Sequence, residues 1–168
     1  MMQVLVLCGS DSDVEVMGET CKVLAQFGVS FKITVASAHR TPERVERLVH
    51  EAEASRCKMI IAAAGFSAHL AGMVAAHCTI PVVGVPLASP PLNGWESLMS
   101  TVQMPPGVPV ATMGVGKSGA INAAHFAVRL LALSESGLKQ KLNDYRQSVV
   151  RSVEENAKKI EKMEWPAS

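Results

Sequence analysis

The strongest constraint on this chain is a repeated unit: a short apolar run, a brief link, then a helical pattern. Residues 3–8 (Gln-Val-Leu-Val-Leu-Cys) and the run from Lys58 to Ala64 are apolar almost throughout. A short strand without polar alternation suits a parallel sheet covered on both faces. Helical patterns follow at Val14 to Phe27, stopped by Gly28, at 42–55, and around Ala68 to His77. Further strands fall at 30–36, at Ile80 to Val85 and near Pro109 to Met113. Strands alternating with helices across short links predict a doubly wound parallel sheet, an α/β fold.

Between the fourth and fifth strands lies Pro86-Leu87-Ala88-Ser89-Pro90-Pro91-Leu92-Asn93-Gly94, too rich in proline for regular structure. A helix near Trp95 to Val102 follows. The chain reads as a single domain over 1–168, since a chain of this length has enough residues for one core. From Ser118 to Leu133 nearly every residue is apolar or small. A helix apolar all round must be covered all round, so subunit packing is expected. The last helix, about 138–163, carries Leu138, Leu142, Tyr145, Val149, Val153, Ile160 and Met163 as one stripe. Its length of about 39 Å lets it overhang its domain and pack on neighbouring subunits. A homo-oligomer is the expectation.

Hydrophobic residues make up 48% of the chain and charged ones 18%, which sets aside a disordered protein. A net charge of +1, scattered basic residues and few aromatics argue against nucleic acid as a partner. No apolar run reaches membrane-spanning length and no charged-then-apolar leader opens the chain, so no membrane association is expected. The four cysteines show no CxxC pair and read as reduced thiols of a cytoplasmic protein.

The strand ends carry the polar chemistry. Gly9-Ser10-Asp11-Ser12-Asp13 links the first strand to the first helix, where backbone N–H groups and hydroxyls can cradle phosphate. A carboxylate such as Asp13 suits sugar hydroxyls. Ser37-Ala38-His39-Arg40-Thr41-Pro42 closes the second strand, with Pro42 at the first helical turn and Thr41 as its expected N-cap. His69 opens a helix beside Gly65 at the end of the third strand. In open α/β sheets ligands sit at such carboxyl ends. Other readings fail on spacing. Gly116-Lys117-Ser118 lacks the glycine of a P-loop at Ala111, no GxGxxG fingerprint follows the first strand, and no GxSxG pattern occurs. His69 and His77 lie about 12 Å apart along a helix, too far to share an ion. His50 reads as solvated, His125 as a core or interface residue, and Cys8 as packing. These residues suit a small phosphorylated metabolite and proton transfer, with no metal or cofactor expected.

Cys8-Gly9-Ser10-Asp11-Ser12-Asp13, Ser37-Ala38-His39-Arg40-Thr41-Pro42, Ala68-His69-Leu70-Ala71-Gly72-Met73 and Val102-Gln103-Met104-Pro105 occur in that order. With Gly116-Lys117-Ser118-Gly119-Ala120 and Asn122-Ala123-Ala124, they resemble the 5-(carboxyamino)imidazole ribonucleotide mutases of purine biosynthesis. The resemblance implies a flavodoxin-like three-layer sandwich, an octamer with shared sites, and a cofactor-free shift of carboxylate from nitrogen to carbon 4 of the imidazole. It assigns His39 as general acid/base, Ser10 and Arg40 as phosphate contacts, and Asp13 as the ribose contact. Ser12, Ser37, Gly65 and His69 complete the expected substrate-binding set. The sequence departs from the family at Phe66, Ser67 and Ala71 in the Gly65–Met73 loop, and at Ala88 and Glu96. Two alternatives stand beside the mutase: a sister carboxylase adding carbon dioxide directly to aminoimidazole ribonucleotide, and a non-catalytic phosphoribosyl-binding module.

Overall fold

The computed structural model describes residues 2–163. They form two compact units, one ending at Val128 and the other starting at Arg129.

The first unit holds a five-stranded parallel sheet: β1 (Val4–Cys8), β2 (Phe31–Val35), β3 (Met59–Ala64), β4 (Val82–Pro86) and β5 (Ala111–Thr112). The strand order is β2-β1-β3-β4-β5, the flavodoxin-like arrangement in which the order reverses between β1 and β3. Every residue of β1 and β4 is buried, as their unbroken apolar sequences require. Four helices link the strands: α1 (Val14–Phe27), α2 (Pro42–Ala54), α3 (Leu70–Ala76) and α4 (Trp95–Val102). A fifth, α5 (Lys117–Leu131), follows β5.

Alternation along the strands builds one hydrophobic layer on each face. On one face Leu5, Leu7, Ile60, Ala62 and Val82 pack with Val45, Leu48 and Val49 of α2 and with Leu70, Ala71 and Val74 of α3. Gly84 lets α4 approach on that face, since a Cβ there would stand 2.3 Å from Thr101 Cγ2. On the other face α1 buries Met17, Leu24 and Phe27. It is tied to α5 by the Thr20 hydroxyl, which donates to the Ala120 carbonyl at 2.8 Å, and by an edge-to-face contact of Phe27 with His125. The fold is therefore a three-layer α/β sandwich of flavodoxin type. His125, read from the sequence as a core or interface residue, is buried here.

Two boundaries differ from the sequence reading. The fifth strand is expected over 109–113, yet only Ala111 and Thr112 pair with β4. Pro109 has no N–H to donate and Gly114 ends the run, which shortens this edge. Helix α3 begins at Leu70 rather than near Ala68, because His69 serves as its N-cap.

The second unit holds the end of α5 and α6 (Ser136–Glu161), a single helix of 26 residues. It starts two residues earlier than the apolar pattern suggests, because Glu135 accepts the first backbone bonds, from Leu138 and Lys139. Val149, Val153 and Ile160 of its expected stripe are exposed, and so is Met163 just beyond it. Among the described residues, no helix is long and apolar enough to cross a membrane.

Candidate active site

The carboxyl ends of β1, β2 and β3 open into one cleft of about 570 Å³, at the point where the strand order reverses. Each strand supplies one stretch of its wall.

After β1, the Gly9 N–H donates to the Ala63 carbonyl at 2.9 Å, which holds the first loop against β3. Ser10 then caps a single 3-10 turn, Asp11–Asp13, that leads into α1. Its N–H donates to Asp13 Oδ2 at 2.9 Å, while its hydroxyl donates to Asp11 Oδ1 at 2.9 Å. The hydroxyl's bond holds the Asp11 carboxyl below its ordinary value. Burial does the opposite to Asp13, raising its carboxyl even though the Ser10 N–H favours the charged form. Ser12 also lines the cleft.

After β2, the chain folds into a tight turn around Ser37. The Thr41 N–H donates to the Ser37 carbonyl at 2.9 Å, and the Ser37 N–H donates back to Thr41 Oγ1 at 3.0 Å. Thr41 Oγ1 also donates to the Ser37 carbonyl at 3.2 Å. Thr41 occupies the N-cap position of α2 without capping it through its side chain, so the hydroxyl expected to cap the start of the helix instead closes the turn. Ser37 Oγ accepts from the Arg40 backbone N–H at 3.2 Å and from Arg40 Nε at 3.4 Å. Arg40 Nη2 reaches the Gly9 carbonyl at 3.4 Å, so the guanidinium bridges the first two loops. It has no carboxylate partner in these bonds, which leaves its charge available to an anion.

After β3, the Ala64 carbonyl accepts the Leu87 N–H at 2.9 Å. A Cβ on Gly65 would stand 2.7 Å from Ser89 Oγ, so only glycine fits this approach without displacing that hydroxyl. Ser67 and His69 follow, their backbones joined by a 2.7 Å bond from the His69 N–H to the Ser67 carbonyl. His39 Nε2 and His69 Nδ1 then meet at 2.7 Å across the cleft, with their rings edge to face. Both rings are accessible from the cleft.

The cleft thus gathers Ser10, Ser12, Asp13, Ser37, His39, Arg40, Gly65 and His69, the residues singled out from the sequence. It also takes in Ser89, which sequence reasoning passed over inside the proline-rich stretch. The usable signal was its place three residues past the end of β4, a fourth strand end beside the other three. Cys8 lies just behind the cleft, fully buried, and burial pushes its thiol up to about 12. Such a thiol stays protonated and serves packing. Lys117 instead faces Glu19 at 3.5 Å and does not line the cleft. Among the described residues no group of three or more His, Cys, Asp or Glu side chains could hold a metal ion.

The fold and this cleft define a flavodoxin-like α/β protein with an anion-ready guanidinium and a coupled histidine pair at its switch point. A profile of the AIR carboxylase family matches residues 3–152, and the chain belongs to that family. It is similar to the N5-carboxyaminoimidazole ribonucleotide mutase of Pyrococcus horikoshii, 47% identical over 160 residues, covering 95% of this chain and 89% of that one. The mutase of Pyrococcus abyssi is 49% identical over 165 residues, covering 98% and 94%. Among solved structures, Treponema denticola PurE superposes with a TM-score of 0.86 at 29% identity, over 95% of this chain and 98% of that one.

Proposed function

We propose that the cleft performs the reaction named for these relatives. The protein is an isomerase of purine biosynthesis, a mutase of 5-(carboxyamino)imidazole ribonucleotide. It takes 5-carboxyamino-1-(5-phospho-D-ribosyl)imidazole, a small ribonucleotide, to 5-amino-1-(5-phospho-D-ribosyl)imidazole-4-carboxylate. The observation that carries this reading is the 2.7 Å contact of His39 with His69, in the same cleft as Ser10, Asp13 and Arg40.

Arg40 and Ser10 bind the phosphate, because a guanidinium and adjacent hydroxyl match its charge and its acceptor oxygens. Ser12 and Ser37 also line the cleft. Asp13 accepts the ribose hydroxyls, whose hydrogen bonds offset the burial of its carboxylate. His39 acts as general acid and then base. It protonates the exocyclic nitrogen, the nitrogen–carbon bond breaks, and the electron pair remains on nitrogen as carbon dioxide is released. The resulting aminoimidazole is enamine-like, so carbon 4 attacks the carbon dioxide. His39 then takes the proton that carbon 4 sheds. Imidazole suits both transfers because it exchanges protons near neutral pH. His69 faces His39 through a bond that has room for one proton, which ties the tautomer His39 presents to that of His69. Gly65 keeps the wall low where the heterocycle lies. The step as written uses no metal and no cofactor.

The assembly belongs to the same reading: a cytoplasmic homo-octamer in which α6 packs on neighbouring subunits. Exposed apolar residues on α5 and α6 support the assembly, and four unbridged cysteines support a reducing compartment. Purified protein given the carbamate ribonucleotide should form the 4-carboxylate without ATP. Product formed only from aminoimidazole ribonucleotide and bicarbonate would assign the direct carboxylase instead. Binding of either without product would leave a phosphoribosyl-binding module.

A further inference from the structure

Phe66 is the one wall residue of the cleft whose placement runs against its chemistry. Its φ of 53° lies in the left-handed region, where a bulky side chain is a genuine outlier. The residue is also 64% exposed. Water covers a large apolar surface, and the backbone is strained in holding it there. The flanks show why the conformation persists. The Ala64 carbonyl is bonded to Leu87, Gly65 is pressed against Ser89, and Ala68 beyond is buried. The loop is pinned on both sides, so the intervening residue has no freedom to relax. Backbone strain held in this way by its surroundings concentrates at functional positions.

The rest of the wall supplies the reason. Most of its members are Gly, Ala or Ser, and the others are Asp13, His39, Arg40, His69 and Leu70. Leu70 is 1% exposed and offers almost no surface. Phe66 is thus the sole large apolar face presented by the described lining of a cleft that otherwise offers hydrogen bonds and charge. A planar heterocycle held by its phosphate and ribose still needs an apolar surface against its ring. The transient carbon dioxide, apolar and uncharged, needs a wall that excludes water.

We propose that Phe66 is a specificity-determining residue that packs on the face of the imidazole and keeps liberated carbon dioxide beside carbon 4 until the new carbon–carbon bond forms. This inference rests on the mutase reading above. It assigns no proton transfer to Phe66, and the bonds broken and formed are those already written.

The test follows the fate of the carboxylate rather than its rate of transfer alone. Substrate carrying carbon-13 in its carbamate is turned over in unlabelled bicarbonate, and label in the product is measured beside free aminoimidazole ribonucleotide. Wild-type protein should retain most of the label. Phe66→Gly, which also relieves the strained φ and so should fold, is expected to lose label several-fold more and to release more free aminoimidazole. Its KM should rise about three- to tenfold, the size of one aromatic stacking contact. Phe66→Tyr, which keeps the ring, should restore retention, and Phe66→Leu should fall between. Phe66→Gly that retains label as well as wild type overturns the proposal while leaving the mutase reading intact. So does a variant whose only change is a smaller assembly by sedimentation, since Phe66 would then be a subunit contact. Wild-type protein that isomerises nothing overturns both.

Discussion

Between His39 Nε2 and His69 Nδ1, at 2.7 Å, there is room for a single hydrogen. One ring must therefore donate and the other accept, so the tautomers of the two rings are tied together. Replacing His39 by Asn keeps a polar side chain but removes the group that exchanges protons. His39→Asn is expected to lower kcat by about 10²–10⁴-fold, with KM within a few-fold of wild type, in steady-state assays. Arg40 gives the opposite split. Among the described residues its guanidinium hydrogen-bonds to Ser37 Oγ and the Gly9 carbonyl rather than to a carboxylate, with Asp11 near enough to feel its charge. Arg40→Ala should raise KM about 10–100-fold, the cost of one charge-assisted hydrogen bond, and change kcat little. Asp13 ties the site to stability. Burial raises its carboxyl above the ordinary range, so the folded protein binds that proton more tightly than the unfolded chain does. Ionisation therefore costs stability as pH rises through the carboxylate range, and that cost is absent below the unfolded value. Asp13→Asn, whose Oδ1 can still accept the Ser10 N–H, should melt at or above wild type at pH 7. The gap should close towards about pH 4, while affinity for the ribonucleotide falls. A gap that widens on acidification would show a carboxylate that stabilises the fold.

Among the elements, β4 and α4 set how closely the layers approach. A Cβ at Gly84 would stand 2.3 Å from Thr101 Cγ2 and 3.0 Å from Val110 Cγ1, on a strand buried throughout. Gly84→Ala should therefore cost about 1–3 kcal/mol in denaturant unfolding, the usual range for overpacking a core. Near-wild-type stability would mean that α4 can retreat from the sheet. The elements themselves were largely legible from the sequence because β1, β3 and β4 are so apolar that only a doubly covered parallel strand accommodates them. The boundaries were less so. Nothing in Pro109 to Met113 marks which two residues pair, because edge pairing depends on a neighbour strand that the local sequence does not encode. Thr41 shows the same limit inside the site: a hydroxyl before a helical proline reads as a cap, and only the bend that brings Ser37 within reach turns it into a turn clasp. The clustering of Ser10, His39, Arg40 and His69 could be argued from their places at strand ends. Their contact could not, since the spacing of residues 39 and 69 along the chain carries no information about facing ring nitrogens.

At the scale of the whole molecule, the unexplained quantity is apolar surface left in water. On α6, Val149, Val153 and Ile160 are exposed, and Val153 reaches 62%. Val149 and Val153 are one helical turn apart and Ile160 two turns further on, so they form a single seam. On α5, Phe126 is exposed from a helix whose Ala123, Ala124 and Ala127 are buried. Scattered exposed apolar residues are ordinary, but a seam along one helix face is the pattern of a contact surface. Hydrophobic burial gives about 25 cal/mol per Å², and a seam of this kind repeated around a closed ring of copies adds many such contacts. Two charges placed in the seam should act on assembly before they act on the fold, since these side chains are solvated in the single chain. Val153→Asp with Ile160→Asp is therefore expected to lower the sedimenting mass below that of the unsubstituted protein, with the helical circular dichroism signal nearly unchanged. If active sites are shared between subunits, activity should fall in step with mass across a dilution series. A double variant that keeps both its mass and its activity would place the subunit contacts elsewhere on the surface and leave the α6 seam without a role.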